Sequence, residues 1–516
     1  MSVGDEQHPA DLDACEREPL AFSGRIQDVG ALFVVDPRNL RLTHVSGNLE
    51  RWFVRPDTIG TPPQLQEFFH DDCAYFIHRR RPLFDERHFL IRGAVSNRGI
   101  EGDILLAARS DTQHLYEFEM RPTGAETTGT PPKAQVSLSE RSLPEEIDVE
   151  GALRRIHSLT TYPKIMLYHF LEDGAGEVVA ELSDQQLDSY QGLRFPASDI
   201  PQVARRLYID NPFRLIFDTR GTEVDVEQLS GSDAELDLSL STLRSVSPVH
   251  VEYLGNMGVR SSASFPIMVM GKLWGLLAMH AVEPTALSMD TRMQVLRIVE
   301  HEFARRIMDQ RVRDDHRRFN ANAKLLDDCA ITLMHLDDSP RSVELATQAL
   351  RKLITCDGLL LRLDGHVLNA DDYISAADAD RLANLGAEEA TGGQFSTHTL
   401  GRHLTQDETF RRRASGLLYS ALDARRQRGR IEVLWLRAEQ AETVTWAGRP
   451  VKERYTVDGE ERISPRRSFS AWQQLSEGAA TAWSSGDLML ASKLLVNIIT
   501  RDRGAADGDD AGTEAR

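Results

Sequence analysis

Two pairs of predicted strands, separated by a long insertion, constrain the fold of this 516-residue chain more than any other feature. Residues 164–183, KIMLYHFLEDGAGEVVAELS, are typical of two strands around an Asp-Gly turn, and residues 261–282, SSASFPIMVMGKLWGLLAMHAV, form a second pair that turns near Met270-Gly271. The insertion between them, Ser183–Met257, is rich in arginine and aromatic residues. Because long loops on a rigid sheet commonly carry function, we expect an antiparallel sheet with a site built by the insertion.

A long helical pattern follows the second strand pair. From Asp290 onward apolar residues recur three and four positions apart, as at Leu296, Val299, Phe303 and Ile307. A helix of this length would extend beyond the domain in which it begins, so we interpret it as a spine that joins two domains. The alternative is an ordinary terminal helix followed by a short linker.

The rest of the chain divides into blocks by composition. Residues 28–120 contain the strand-like runs ALFVVD and HLYEFEM, and residues 122–134, PTGAETTGTPPKA, are typical of a linker. Residues 330–500 predict another α/β block, and the final RGAADGDDAGTEAR is typical of disorder. At roughly 100–200 residues per domain, the length predicts about three domains.

Composition argues against several classes of protein. The net charge of −19 argues against broad affinity for nucleic acids, which requires a basic face. Cys15, Cys73, Cys329 and Cys356 lie far apart, without the clustering of a zinc site or a disulfide framework. The polar first residues do not resemble a secretory signal, and no run approaches the roughly 20 apolar residues of a membrane helix. We therefore expect a cytoplasmic protein that binds neither nucleic acid nor membrane.

Polar residues in and after the insertion are suited to a common ligand. Asp199 and His250 could satisfy buried N–H groups, whereas Arg214 and Arg244 could hold carboxylates with bidentate geometry. Taken singly, Asp199 in its Pro-bounded loop is most often a turn residue or helix cap, and His280 at the end of LWGLLAMH is most often a core histidine. Together, they suit a flat, largely apolar ligand with acidic arms and ring N–H donors.

Motifs at several separate positions resemble one protein family. PASDIP, SPVHVEYLGNMGV and LWGLLAMH resemble the chromophore-binding GAF domain of bacteriophytochromes, and CEREPLAFSGRIQ resembles the attachment segment ahead of that family's PAS domain. VTWAGRP and SPRRSFSAW resemble the tongue of its PHY domain. The resemblance implies an α+β fold of three successive PAS/GAF-like domains. Each would be an antiparallel sheet flanked by helices, joined by the long helical spine, with a tongue hairpin from the third domain.

The resemblance also implies domain boundaries. The order PAS–GAF–PHY covers nearly the whole chain. The implied division is a leader with the attachment cysteine at 1–20, a PAS domain at 21–125, a bilin-binding GAF domain at 135–310, a PHY domain at 311–500 with its tongue at about 436–483, and a disordered tail at 501–516.

The resemblance further implies a covalent chromophore, biliverdin IXα. Cys15 matches the cysteine that forms a thioether with a vinyl side chain of the bilin, which requires a nucleophilic sulfur on a flexible segment. Plant-type relatives attach their bilin through a cysteine just before the pocket histidine, and that position is Val249 here. The family threads this leader through a loop of the GAF domain, with Ile26 at the matching crossing point.

The family's polar contacts transfer onto matching positions. Arg214 and Arg244 would lie near one propionate, and Ser262 and Ser264 near the other. His250 would lie over the pyrrole nitrogens together with an ordered water. The residues implied to bind the chromophore are Tyr168, Phe195, Ser198, Asp199, Ile200, Pro201, Tyr208, Arg214, Arg244, His250, Tyr253, Ser262, Ser264 and His280.

The resemblance likewise implies contacts around ring D and in the tongue. Tyr168, Phe195 and Tyr208 would enclose ring D, whose carbonyl His280 would contact. Asp199 would accept hydrogen bonds from the bilin or from the tongue, and there Arg466 could pair with it in one state and Ser468 in the other. The tongue residues implied to signal are Trp446, Gly448, Pro465, Arg466, Ser468, Phe469 and Trp472.

The function implied is a red/far-red photoreceptor that switches reversibly between two light-absorbing states and controls a signalling output. Light would isomerise the bridge between rings C and D, and the tongue would refold between hairpin and helix. VKERYTVDGEERIS, which alternates around Asp458-Gly459, is a hairpin signal. Because no kinase or cyclase signature is visible, we expect a sensory module and not an enzyme, although full-length members often end in a histidine kinase.

The resemblance implies partners and leaves two alternatives open. The expected partners are a second copy, bound through the GAF and PHY helices, and a response regulator or separate output domain. One alternative is a GAF-type sensor of another small ligand, such as a cyclic nucleotide, without photochemistry. The other is an enzyme that uses Asp199 and His250 for acid–base catalysis.

Overall fold

The structure is a computed structural model, and the residues that it describes fall into two compact units. The first unit is Met1–Met308 together with Thr445–Trp472, and the second is Asp309–Val444 together with Gln473–Arg516. The described residues are 19–39, 41–56, 63–70, 81–82, 87–109, 113–121, 135–138, 148–184, 187–229, 235–369, 373–402, 408–424, 429–450, 453–457, 460–464 and 466–510.

The first sheet of the first unit contains the two runs predicted as strands in residues 28–120. Its strands are β1 (Arg25–Gln27), β2 (Ala31–Asp36), β3 (Arg41–Ser46), β4 (Arg81–Pro82), β5 (His88–Val95), β6 (Glu101–Arg109), β7 (Gln113–Met120) and β13 (Glu223–Gln228). Their order is β1-β13-β3-β2-β7-β6-β5-β4. Phe33, Phe53 and Phe118 pack edge to face at about 5 Å between ring centroids, so one side of this sheet has a dense aromatic core.

The second sheet of the first unit confirms both predicted strand pairs. Its strands are β8 (Gln135–Leu138), β9 (Lys164–Phe170), β10 (Gly176–Ser183), β11 (Arg194–Phe195), β12 (Arg214–Ile216), β14 (Ser261–Val269) and β15 (Lys272–Ala281). The order is β12-β14-β15-β9-β10-β11, and β8 pairs with β10. Between β14 and β15, Met270 and Gly271 both have positive φ (51° and 74°), as a tight two-residue hairpin turn requires.

Helices flank the second sheet, and the last of them is the predicted long helix. The helices are α1 (Val149–Thr160), α2 (Gln202–Asp210), α3 (Pro248–Asn256), α4 (Met289–Ile298) and α5 (Arg305–Met334). A π-helical segment, Val299–Ala304, joins α4 to α5, so one helix runs from Met289 to Met334 and passes from the first unit into the second. Val299 and Phe303 are buried in the core, in agreement with the predicted spacing.

The segment before β2 lies between two parts of the insertion. Ile26 is fully buried, pairs with Val224 of β13 and forms an isolated bridge with Arg244. Gln27 donates its backbone N–H to Leu243 O (2.8 Å). This part of the leader is therefore held on both sides by the insertion, at the residue where the resemblance places a crossing.

The second unit is built on another antiparallel sheet. Its strands are β16 (Gly358–Leu363), β17 (His366–Asn369), β18 (Gln394–Thr397), β19 (Gly416–Ala424) and β20 (Gly429–Arg437), in the order β17-β16-β20-β19-β18. Its further helices are α6 (Pro340–Leu353), α7 (Ala376–Glu389), α8 (Glu408–Arg413) and α9 (Ser485–Asp510). The structure differs from the predicted tail, because α9 continues to Asp510, and residues 511–516 lie outside the described residues. The first part of α9, up to Ile498, is stabilised by its buried apolar residues. The helix can continue beyond them because the next residues include Arg and Ala, which have high helix propensity.

The remaining strands lie in and around the predicted tongue. They are β21 (Glu442–Ala447), β22 (Glu453–Val457), β23 (Glu460–Ser464) and β24 (Ala471–Ser476). β22 and β23 pair antiparallel with Val457 opposite Glu460, which confirms the predicted hairpin, although its turn at Asp458-Gly459 lies outside the described residues. Antiparallel sheets flanked by helices in both units confirm the α+β fold class.

Candidate functional site

The insertion covers one face of the second sheet and encloses a cavity there. The cavity has a volume of about 210 Å³, counted as the space in which the centre of a water molecule fits. Because side chains alternate along a strand, Tyr168 of β9 and His280 of β15 face the cavity, whereas Leu167 and Met279 lie in the core on the other face. The residues predicted to bind a chromophore all line this one cavity: Tyr168, Phe195, Ser198, Asp199, Ile200, Pro201, Tyr208, Arg214, Arg244, His250, Tyr253, Ser262, Ser264 and His280. Their roles as chromophore contacts remain predictions.

Sequence reasoning missed part of the cavity wall. Met166 and Ala278 line it, and strand alternation from Tyr168 and His280 could have identified both. Asn211 also lines it, with a buried side-chain oxygen that has no hydrogen-bond partner in the described part of the chain, and no sequence pattern marks that residue.

Two of the predicted residues lie outside the described residues, namely Cys15 and Pro465. The nearest described part of the leader nevertheless reaches the site, since Leu20 lines the cavity. Leu20 is five positions after Cys15, and a chain spans at most about 3.6 Å per residue. Five positions of extended chain span at most about 18 Å.

Arg214 and Arg244 form a cationic pair on the cavity wall. Arg214 donates to the carbonyl oxygens of Thr242 (3.1 Å) and Ser245 (2.8 Å), and Arg244 donates to those of Leu238 and Ser239. Among the described residues, neither guanidinium forms an ion pair with a carboxylate. Desolvation lowers the pKa of Arg214 to about 10, and burial together with the charge of Arg214 lowers the pKa of Arg244 to about 9. The two guanidiniums thus have carbonyl oxygens, and no carboxylate, as their hydrogen-bond partners among the described residues.

Asp199 and Arg466 form a second charged group at the cavity, and this one is paired. The two side chains are both 2% exposed, and Arg466 donates to both carboxylate oxygens of Asp199. Tyr253 adds a hydroxyl donor to Asp199 at 2.9 Å, and Arg466 also donates to Ala447 O. Burial alone would lower the pKa of Arg466, but the carboxylate beside it raises that pKa above its usual value. The pair predicted for one state of the tongue is therefore present.

The two cavity histidines are held in the neutral form. Burial lowers the pKa of His280 to about 3, with Lys164 and His250 adding to the effect, and burial lowers the pKa of His250 to about 4. His250 stacks on Tyr253 at 5.9 Å between ring centroids. The Nδ1 atom of His280 is buried without a hydrogen-bond partner in the described residues. His280 thus presents an unsatisfied polar atom in an apolar wall.

The aromatic and hydroxyl residues complete the wall. Tyr168 packs on Phe195 at 5.9 Å, and burial raises the pKa of the Tyr168 hydroxyl. Tyr208 hydrogen-bonds to Ser264, and burial raises its pKa as well. The structure therefore places Tyr208 beside Ser264 and the arginine pair as well as near Tyr168, which is a more polar setting than the predicted ring-D position.

Tongue residues pack on the cavity residues within the first unit. Trp446 pairs with Arg194 of β11, and Phe469 is buried with its ring edge to Tyr253 at 5.2 Å. Gly448 has φ 79°, and a Cβ there would lie 1.9 Å from Ser468 O, so the position requires glycine. Ser468 is exposed and Trp472 half-buried.

The described ranges contain neither a metal-ion cluster nor a membrane-spanning helix. No cluster of His, Cys, Asp and Glu there could hold a metal ion. None of the helices that the structure describes has the length and apolar character needed to cross a bilayer.

Three protein families match successive parts of the chain. They are the PAS fold at residues 15–119, the GAF domain at 149–307 and the phytochrome region at 323–503. No kinase family appears among these matches.

Curated relatives agree with these families. The bacteriophytochrome of Pseudomonas aeruginosa is 35% identical over 377 residues, which is 71% of this chain and 49% of the relative. Cyanobacterial phytochrome B of Nostoc sp. is 29% identical over 97% of this chain and 67% of its own length. The bacteriophytochrome of Xanthomonas campestris pv. campestris is 28% identical over 96% of this chain and 80% of its own length. The chain thus matches about half of the first relative's length, and more of the other two.

Solved structures show the same similarity in three dimensions. The Stigmatella aurantiaca phytochrome photosensory core module superposes with a TM-score of 0.68 at 26% identity, covering 94% of this chain and 97% of that one. The bacteriophytochrome RpBphP3 from R. palustris gives 0.68 at 25% identity, covering 95% and 99%. With three families in this order and these relatives, the chain belongs to the phytochromes, as a bacteriophytochrome with PAS, GAF and PHY regions.

Proposed function

We propose that this chain is a red/far-red photoreceptor that binds biliverdin IXα covalently through Cys15 and switches reversibly between two light-absorbing states. The observation that carries the proposal is the cationic pair, Arg214 and Arg244, on the wall of a largely apolar cavity, where neither has a carboxylate partner among the residues that the structure describes. Burying a cation is costly unless it is paired, so the wall is built for a ligand that brings its own negative charge.

The donor set fits such a bilin. One carboxylate arm would meet Arg214 and Arg244, and the other would meet the hydroxyls of Ser262 and Ser264 on the neighbouring strand, where Ser264 pairs with Arg214. His280, whose Nδ1 is unsatisfied, would hydrogen-bond a ring carbonyl. Neutral His250 would face the pyrrole nitrogens. A flat apolar body between these ends would contact the side chains of Tyr168, Phe195 and Tyr208.

Attachment through Cys15 is supported by the path of the leader. Leu20 already lies on the cavity wall, so a cysteine five residues earlier is within reach. Covalent attachment requires the thiolate of Cys15 to add to a vinyl group of the bilin. A residue on a flexible segment can meet that group without disturbing the rigid sheet.

Switching is proposed to act through Asp199. When bound, the bilin supplies light absorption and a double bond that light isomerises. Asp199 already accepts hydrogen bonds from Arg466 and Tyr253, so a change in its hydrogen bonding at the cavity alters what holds the tongue. A shift of about 5.5 kcal/mol is enough to turn a 1:99 equilibrium into 99:1. The loss of a buried ion pair is of comparable size.

The proposal extends to the domain boundaries, the location and the partners of the chain. We propose the domain boundaries 1–20, 21–125, 135–310 and 311–500, a cytoplasmic location and a homodimer formed through GAF and PHY helices. The output would come from a response regulator or from a separate output domain such as a histidine kinase, so that this chain itself is sensory and not an enzyme.

The experiment that tests the proposal is co-expression with a haem oxygenase followed by absorption spectroscopy. We expect a bound bilin whose spectrum changes reversibly under red and far-red light. In Cys15→Ala the bilin should remain bound but be lost on denaturation, so zinc-induced fluorescence should disappear from a denaturing gel. Cys73→Ala is the matched control and should keep the fluorescent band.

Two outcomes would count against the proposal. Absence of any bilin spectrum would favour a GAF-type sensor of another small ligand. A fluorescent band that persists in Cys15→Ala and disappears in Cys73→Ala would move the attachment site to Cys73.

A further inference from the structure

Glu117 is a buried carboxylate that no part of the proposed chromophore site uses. It lies on β7, within the region matched by the PAS family, and is 1% exposed. Glu117 and Glu119 lie on the same face of β7, because they are two positions apart on a strand. Glu119 forms a bidentate ion pair with Arg292 of α4, whereas Glu117 contacts the insertion.

The Glu117 carboxylate accepts hydrogen bonds from three consecutive residues of the insertion. One oxygen accepts from the Ser241 hydroxyl and from the Leu243 N–H at 3.2 Å. The other accepts from the N–H and the hydroxyl of Thr242 at 3.2 and 2.5 Å. Four donors on one carboxylate fix the backbone of residues 241–243 relative to β7.

Both arginines of the cationic pair are bonded to the residues that Glu117 holds. The Ser241 hydroxyl, which donates to Glu117, accepts the backbone N–H of Arg244 at 3.0 Å. The Thr242 carbonyl accepts from the Arg214 guanidinium at 3.1 Å. Glu117 is thus one residue removed from each arginine, by two separate routes.

We propose that Glu117 is a positioning residue that holds Arg214 and Arg244 in register for an anionic ligand, so that the PAS region sets the charge selectivity of the GAF cavity. Burial raises the pKa of Glu117, and the hydrogen bonds from Ser241, Thr242 and Leu243 act against that rise and favour the carboxylate. The inference rests on the proposed function, in which the ligand's carboxylate arms meet these arginines.

The test compares two bilins that differ only in charge. Cys15→Ala and the double variant Cys15→Ala/Glu117→Gln are titrated with biliverdin and with its dimethyl ester, which lacks the carboxylates. Glutamine keeps the shape of the side chain, but its amide nitrogen cannot accept hydrogen bonds, so the donors at one oxygen lose their partner. We expect biliverdin affinity to fall about tenfold, equivalent to 1.4 kcal/mol, with ester affinity unchanged.

Glu119→Gln is the matched control, because it alters the neighbouring carboxylate on the same face of β7 but leaves the hydrogen bonds to residues 241–243 in place. It should leave the ratio of the two affinities as it was. Ser241→Ala is a second variant, which breaks only the route to Arg244. It should lower the ratio of biliverdin affinity to ester affinity by less than Glu117→Gln does. Without ligand, the amides of Thr242 and Leu243 should exchange faster in Glu117→Gln than in Glu119→Gln.

The outcomes separate the inference from the function on which it rests. Equal loss of affinity for both bilins, or a ratio unchanged in both Glu117→Gln and Ser241→Ala, would overturn the positioning role. Failure of the Cys15→Ala chain to bind either bilin would instead overturn the proposed function.

Discussion

Two cationic groups lie at the cavity and are satisfied in different ways: Arg466 reaches it through Asp199, whereas Arg214 and Arg244 line it themselves. Arg466, from the tongue, meets the carboxylate of Asp199 and is complete within the protein. Arg214 and Arg244, from the insertion, are bonded only to backbone carbonyl oxygens among the described residues. The pKa values differ accordingly, since that of Arg466 is raised and those of Arg214 and Arg244 are lowered.

The difference shows which charge is suited to holding a structure and which to holding a ligand. A paired charge becomes costly when its partner leaves, so the pair of Asp199 and Arg466 can keep the tongue in one position and release it on a signal. A charge with no acidic partner gains most from an anion that arrives later. Protein stability should therefore depend on Arg466, and ligand affinity on Arg214 and Arg244.

The largest expected effect comes from Arg466→Ala. It leaves the Asp199 carboxylate buried without a cation, and breaking a buried pair in this way costs about 3–5 kcal/mol. Amide exchange at residues 447–448 and 466–470 should then accelerate at least about hundredfold, since each 1.4 kcal/mol is tenfold. Hydrogen–deuterium exchange on the ligand-free chain measures it.

The neighbouring arginine provides the control. Arg467 is exposed, and Arg467→Ala should leave the exchange rates near those of the unaltered chain. Adding Asp199→Asn to Arg466→Ala should restore much of the protection, because no uncompensated charge then remains. Equal protection in Arg466→Ala and Arg467→Ala would contradict the role of Arg466 in holding the tongue.

The next largest effect is expected for Arg244→Met, which should lower ligand affinity and leave stability unchanged. Removing a desolvated cation that is repelled by Arg214 should leave the ligand-free chain as stable as before. The affinity for biliverdin should fall, because a hydrogen bond to a charged group contributes about 1.5–3 kcal/mol, or roughly 10- to 150-fold. Urea unfolding and titration of a Cys15→Ala background measure the two quantities. A large loss of stability with unchanged affinity would show that Arg244 stabilises the protein, as Arg466 does, and does not serve the ligand.

The cavity wall was predictable from sequence to the extent that local rules determine it. Strand alternation and the turn at Met270-Gly271 place β9, β14 and β15, and the resemblance supplied the wall residues that the insertion contributes. The role of Glu117 was not predictable, because its partners lie 124 to 126 positions along the chain and belong to another family region. Long-range contacts of buried charges leave no periodic signal in a sequence.

The smallest effect tests whether the cavity tolerates a further cation. His280 is 8% exposed, near Lys164 and His250, and its pKa is about 3 in the folded chain against an ordinary value of 6.5. Between these values the unfolded chain binds more protons, so the free energy of unfolding must fall as the pH decreases below 6.5. The loss is about 1.4 kcal/mol per pH unit, or roughly 2 kcal/mol at pH 5.

His280→Gln removes this titration, so the stability difference between the unaltered chain and His280→Gln should change by roughly 2 kcal/mol between pH 7.5 and pH 5. Chemical unfolding of the ligand-free chain at several pH values measures it. His335→Gln, at an exposed histidine of the second unit, should give a profile parallel to that of the unaltered chain. If His280→Gln also gave a parallel profile, His280 would accept a proton in the folded chain as readily as in the unfolded one. The cavity would then tolerate an additional cation beside Arg214 and Arg244, and the absence of a carboxylate partner for them within the described ranges would no longer indicate an anionic ligand.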